Sequence, residues 1–117
     1  HIESLNPNSM YHLSLRLSYP NAFDLEHARK DRRENIGTDI MIHGKACSIG
    51  CLAMGDEAAE DLFVLAADTG LDDIQVILAP VDFRVQEMPK LDYPLPAWTP
   101  ILYNQIREAL LPLSKAP

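Results

Sequence analysis

A histidine and a cysteine eight residues apart stand in the stretch Ile42-His43-Gly44-Lys45-Ala46-Cys47-Ser48-Ile49-Gly50-Cys51. Brought together, these side chains perform nucleophilic chemistry. A thiol attacks a carbonyl only as the thiolate, and its reference pKa of about 8.5 leaves little thiolate at neutral pH. A neighbouring imidazole accepts the proton and holds the thiolate as an ion pair, provided the two come within hydrogen-bond reach. Gly50, immediately before the cysteine, lets the backbone approach a bound carbonyl closely. The backbone N–H groups of Gly50, Cys51 and Leu52 are candidates to face the oxyanion that would develop there, and Ser48 lies three residues before the nucleophile.

Other readings of the same residues remain open on spacing alone. His43, Cys47 and Cys51 recur every four residues and are zinc-type ligands. Gly44 and Gly50 oppose the helix that would gather them on one face, and no fourth ligand is evident. Cys47 and Cys51 form a pair with three intervening residues where the usual redox motif has two. A disulfide between them would close a very small loop and add little stability. A cysteine in a turn can also be a small apolar filler, and a lone histidine a structural residue.

The elements around this stretch can position it. Residues 11–19 alternate, with Tyr11, Leu13, Leu15, Leu17 and Tyr19 on one face and His12, Ser14, Arg16 and Ser18 on the other, which predicts a half-buried strand. Pro20-Asn21 ends it. Residues 21–38 are polar and charged and read as a long loop holding at most one helical turn. Ile40, Met41 and Ile42 form a short strand that delivers His43, and residues 44–54 suit a tight loop. Gly55-Asp56 opens a helix with Asp56 as N-cap and Glu57 and Glu60 at its positive end. Ala58, Ala59, Leu62, Leu65 and Ala66 follow helical spacing, and Gly70 is the stop. Ile74 to Ala79 reads as a strand ended by Pro80. Residues 86–97, with Pro89, Pro94 and Pro96, read as an irregular connection. A last helix starts at about Thr99, with Leu102, Ile106, Ala109, Leu110 and Leu113 on one face and Pro112 near its end. No internal repeat or second domain is evident, so residues 1–117 read as a single α+β domain.

Composition narrows the partners. The chain has 117 residues, 47% of them apolar, as in an ordinary globular protein. No apolar run approaches the roughly 20 residues that cross a bilayer. The net charge of −7 arises entirely after residue 51; the first 51 residues carry six basic and six acidic side chains. Seven acids fall between Asp56 and Asp73. Such a surface does not seek nucleic acid or anionic membrane. The basic cluster Arg29, Lys30, Arg32 and Arg33 is interleaved with Asp31 and Glu34 and reads as a solvated loop. The chain begins at His1 with neither Met nor a basic-then-apolar leader, and reads as a processed or truncated product.

The pattern His-Gly, a short loop, then Ser48-Ile49-Gly50-Cys51-Leu52-Ala53-Met54 resembles the signature of the L,D-transpeptidase catalytic domain, the YkuD fold, and most closely its YafK-like branch. Tyr11-His12-Leu13-Ser14-Leu15 with Tyr19-Pro20-Asn21, Ile40-Met41-Ile42-His43-Gly44, and Ile74-Gln75-Val76 with Phe83-Arg84 resemble flanking segments of that branch in the same order. The resemblance covers about residues 2–84. It implies a mainly β domain with a helix after the catalytic loop and a C-terminal helix. It implies that Cys51 is the nucleophile and attacks the carbonyl of a diaminopimelate residue in a peptidoglycan stem peptide to form a thioester. His43 would be general base and then acid, with its ring oriented by the Gly44 carbonyl. The thioester would pass to an amine or to water, and no metal or organic cofactor is implied.

Three positions depart from the family pattern. Ile49 replaces a common histidine, Ala53 replaces an arginine expected to hold a substrate carboxylate, and Cys47 lies outside the pattern. The change at residue 53 fits a branch associated with cleaving the bond between peptidoglycan and a lipoprotein lysine. The family also carries an N-terminal portion, with a Gly-Asp…Thr-Pro-x-Gly segment, that adds strands to the same sheet. This chain reads as the C-terminal part of such a domain, with sheet edges exposed for pairing with another copy. The resemblance implies a periplasmic or cell-envelope location.

Overall fold

The alternation in residues 11–19 is realised as strand β2 (His12–Leu17), an interior strand of a four-stranded sheet. The computed structural model describes residues 1–113, and the chain divides into two units, His1–Val76 and Ile77–Pro117. In the first unit β1 (Ile2–Ser9) runs antiparallel to β2, with Ile2 opposite Leu17, Leu5 opposite Leu15 and Ser9 opposite His12. The two-residue turn Met10-Tyr11 joins them. β1 has no counterpart among the expected strands, because its residues are mostly polar and include Pro7. An edge strand tolerates a proline whose missing N–H faces away from the ladder.

β3 (Met41–His43) is antiparallel to β2, with Leu15 opposite Ile42 and Ser14 opposite His43. β4 (Leu52–Ala53) runs parallel to β3, with Ile42 opposite Leu52 and His43 opposite Ala53. The expected tight loop over residues 44–54 therefore closes at its far end in a strand.

Leu15, at 1% exposure, anchors the core with Ile2, Leu17 and Ala66; Leu5, Ile42, Leu62, Phe63, Ile74 and Val76 pack against it. Truncating a leucine buried in this way costs about 2–5 kcal/mol. Helix α2 (Asp56–Thr69) fully buries Ala59 and Ala66, and Leu62 and Phe63 complete a stripe at helical spacing. Leu65, expected on that stripe, is exposed. The N-cap is Gly55, at φ 78°, and not Asp56; the Asp56 carboxylate accepts the Lys45 N–H at 2.7 Å instead. Gly70, at φ 100°, ends the helix as expected and donates its N–H to the Ala66 carbonyl at 3.0 Å.

Three expectations need correction. Residues 21–38 are not simply a loop: Ala22–Lys30 form helix α1. Its low apolar content hides its periodicity, but a reciprocal capping box between Asn21 and Asp24 starts it. Residues 74–79 are not a strand; after a 3-10 turn at Leu71–Asp73, Ile74 and Val76 bury their side chains on the core without joining a ladder. β-branched residues favour a pleated surface only where a neighbouring strand supplies one. The α+β class holds, but "mainly β" does not. Strands of 8, 6, 3 and 2 residues accompany helices of 9, 14 and 12.

In the second unit, residues 86–97 hold no helix or strand. Helix α3 (Thr99–Leu110) follows with Pro100 in its first turn, where a missing N–H is harmless. Leu102, Ile106 and Leu110 are half-buried, whereas Ala109 and Leu113, expected beside them, are exposed. Phe83 is buried, 5.6 Å from the Tyr103 ring and 5.1 Å beneath the Arg107 guanidinium. Arg107 forms a bidentate pair with Glu87 at 2.8 and 2.5 Å. Those hydrogen bonds hold the Glu87 carboxyl below the usual carboxylate range. Among the described residues no helix is long and apolar enough to cross a membrane.

Candidate active site

His43 closes β3 and is held from both sides. Ser14 lies opposite it on β2 and Ala53 on β4. Its carbonyl accepts the Met54 N–H at 2.9 Å, and the following Gly44 N–H donates to the Leu13 carbonyl at 3.2 Å. Strand alternation places His43 and Ser14 on the face opposite Leu15 and Ile42, and both are 3% exposed. Nδ1 of the imidazole lies 2.6 Å from the Gly44 carbonyl oxygen. A carbonyl can only accept, so Nδ1 carries the proton and Nε2 keeps the lone pair in the neutral ring. The Tyr11 ring, from the β1–β2 turn, covers the imidazole at a centroid distance of 4.6 Å and a tilt of 34°.

Gly44 is required by space. A Cβ there would lie 2.6 Å from Asp56 Oδ1, 2.8 Å from the Tyr11 carbonyl oxygen and 2.9 Å from His12 Cβ. The histidine strand, the hairpin turn and the start of α2 converge on this backbone position.

Cys51 is approached by an exposed loop. Residues 45–50 are all exposed, and Ile49 is 100% exposed. Ser48 shapes the end of the loop: its hydroxyl accepts the Gly50 N–H at 3.0 Å and donates to the Cys51 carbonyl at 2.7 Å. The Gly50 N–H, one of the three expected to face an oxyanion, is thus engaged by Ser48. Cys51 is half-buried and directly precedes Leu52 in β4. Ala53 stands opposite His43, and Cys51 lies in the bend two residues before it, just outside β4. The thiol itself donates to the Asp39 carbonyl at 3.4 Å, and among the described residues no hydrogen bond joins Cys51 to His43.

Sequence reasoning did not single out Asp39 for the site. It occupies the left-handed region at φ 60°, and its carboxylate meets Arg16 at 2.7 Å and Thr38 Oγ1 at 3.1 Å. Tyr11, expected within the strand, lies in the β1–β2 turn and covers the histidine. Its alternation with Leu13 and Leu15 carried no signal of the turn. Cys47 and Cys51 are both free thiols, and Cys47 is exposed. Among the described residues no three His, Cys, Asp or Glu side chains stand close enough to share a metal ion. A shallow cleft of about 510 Å³ opens beside the loop, lined by Met54, Gly55, Asp56, Glu57, Ala58 and Asp61.

No family model matches the chain, and no solved structure matches it. The chain is 31% identical over 86 residues, 71% of its length, to the "Putative L,D-transpeptidase YafK" of Escherichia coli strain K12, and equally so to that of strain O157:H7. The match covers 32% of each relative, so the chain spans about a third of the length of the curated proteins that it resembles.

Proposed function

We propose that this chain carries the catalytic His–Cys segment of an L,D-transpeptidase-type enzyme of the cell envelope, acting on peptidoglycan stem peptides. The observation that supports it most is the 2.6 Å hydrogen bond from His43 Nδ1 to the Gly44 carbonyl, which leaves Nε2 as the only basic atom of the ring. In this reading Nε2 takes the Cys51 proton. A thiolate has no hydrogen to donate, so the transfer breaks the contact with the Asp39 carbonyl and releases Sγ. The sulfur adds to the diaminopimelate carbonyl, and the imidazolium returns its proton to the departing amine as the C–N bond breaks. The thioester is then opened by an amine or by water. The N–H groups of Cys51 and Leu52 are the proposed oxyanion donors, with Ser48 and Gly50 holding the turn that presents them.

The test is incubation of the protein with purified sacculi and with a carbapenem. A carbapenem adduct on Cys51 and new or shortened muropeptides are expected. A folded sample that forms neither overturns the reading. A second version, hydrolysis of the bond between peptidoglycan and a lipoprotein lysine, is favoured by Ala53 in place of a carboxylate-binding arginine. Release of lipoprotein-derived peptide without new cross-links would select it. A non-catalytic peptidoglycan-binding role is favoured by the thiol's rest on Asp39. Muropeptide binding that survives Cys51→Ala, with no product formed by the unsubstituted protein, would select that role.

A further inference from the structure

Among the described residues the imidazole has one hydrogen-bond partner, the Gly44 carbonyl, and its ring is covered from a hairpin turn that the reaction as described does not use. Tyr11 sits in the two-residue turn between β1 and β2, with its ring 4.6 Å from the imidazole. That turn is fixed at several points. The Tyr11 N–H donates to Ser9 Oγ at 3.1 Å. The Tyr11 carbonyl abuts the α-carbon of Gly44 so closely that a Cβ there would collide with it. The next residue, His12, holds a left-handed φ of 75° and contacts Glu60 of α2 through Nε2 at 2.6 Å. So much anchoring of a turn whose tip, Met10, is 86% exposed has one evident result: the Tyr11 ring stays over His43.

We infer that Tyr11 is a positioning residue for His43: its ring fixes the imidazole plane so that Nε2 faces the nucleophile, and its π face stabilises the imidazolium formed when the Cys51 proton arrives. The inference rests on the proposed His43–Cys51 pairing. An aromatic face within about 6 Å of a cation is worth roughly 0.5–1 kcal/mol at exposed sites and more when desolvated. The hydrogen bond to Gly44 restrains one edge of the ring but not its tilt; stacking restrains the tilt. Ser14 and Ala53 flank the histidine and are neutral. The titratable groups nearby are Asp56, the His12–Glu60 pair, the Tyr11 phenol itself and, in the proposed pairing, Cys51. All but the phenol are retained in the Tyr11 variants below, and Tyr11→Phe isolates its loss.

The test reads the rate at which iodoacetamide alkylates Cys51, a measure of thiolate that needs no knowledge of the substrate. It is made in a Cys47→Ser background, so that one thiol reports. At pH 7 Tyr11→Leu should slow alkylation about two- to fivefold, as the energy of one cation–π contact dictates. Tyr11→Phe should stay within about twofold of the parent, because the π face is kept. At pH 10 all variants should converge, since hydroxide then supplies the thiolate without help from His43. Equal rates for Tyr11→Leu and the parent at pH 7, with His43→Ala slowed, overturn the inference and leave the pairing intact. A slowing that persists at pH 10 marks an accessibility effect and also overturns it. An unslowed His43→Ala refutes the pairing itself, and the inference falls with it. Should the leucine variant not fold, Tyr11→Met takes its place. In the unsubstituted protein the His43 ring protons should carry an upfield ring-current shift in NMR spectra; its absence removes the stacking on which the inference stands.

Discussion

His43 ends strand β3 and Cys51 immediately precedes β4, yet their surroundings differ sharply. The histidine is buried, ends an interior strand, and is bounded by a backbone hydrogen bond, an aromatic ring and ladder partners on two sides. The cysteine leaves an exposed loop whose near end is tied to Asp56 through the Lys45 N–H and whose far end is shaped by the Ser48 hydroxyl, and its thiol is engaged by a backbone carbonyl from another segment. In the proposed pairing the base would be preorganised, whereas the nucleophile would change partners to react. This division suits an enzyme whose base holds its orientation while the attacking atom follows a carbonyl from addition to release.

The largest effect that would sharpen this contrast separates activity from stability. Cys51→Ala should abolish turnover, by at least about 10³-fold, with an unchanged thermal midpoint, because the side chain is small and makes one weak contact. His43→Ala should cost about 10²–10⁴ in turnover and also lower stability, since it empties a buried, hydrogen-bonded position. Equal melting losses in the two variants would erase the distinction. Next is Gly44→Ala, which forces a Cβ against backbone and carboxylate atoms; a loss of about 1–3 kcal/mol in urea unfolding is expected from such overpacking. If the variant is as stable as the parent, the convergence of strand, turn and helix on Gly44 is looser than described.

Ser48→Ala removes two hydrogen bonds in the exposed loop and should cost no more than about 1 kcal/mol, while slowing Cys51 alkylation and turnover measurably. Stability falling as far as for Gly44→Ala would mean that the loop is as rigidly held as the histidine. The smallest expected effect lies in the second unit and serves as a control. Glu87 is held below its ordinary pKa by Arg107. The pair's contribution is therefore complete above the unfolded carboxyl value and is lost as pH falls through the lowered folded one. Glu87→Gln should remove that acid-side loss, monitored through Trp98 fluorescence, and leave Cys51 alkylation unaffected. A change in alkylation would defeat its use as a control.

Much of the His43 neighbourhood was legible because its constraints are local. A short apolar strand followed at once by glycine names both the residue delivered and the turn after it. The 14-residue helix α2 was legible for the same reason, bounded by Gly55 and Gly70 with apolar periodicity between. What escaped depends on partners distant in the chain. β1 is polar and becomes a strand only because β2 offers an edge. Ile74 to Val76 carries strand-forming side chains but meets no ladder. Helix α1 is hydrophilic, and the Asn21–Asp24 capping box at its start is its one local signal in the sequence. Asp39 takes its place in the site through Arg16 and through a backbone atom, and a carbonyl group has no letter in a sequence.

β3 and β4 run parallel but are joined by only the eight residues 44–51, where parallel neighbours ordinarily need a dozen or more. The crossover therefore has little slack, and its length is fixed more tightly than its spelling. Residues 45–50 are all exposed, so the side chains of Ala46, Cys47 and Ile49 can vary without any change in the interior, while Ser48 and Gly50 shape the turn. Adding or deleting one residue is a different matter. It would change the reach of the loop from Gly44 to β4, and so displace Cys51 or shift the β3–β4 register.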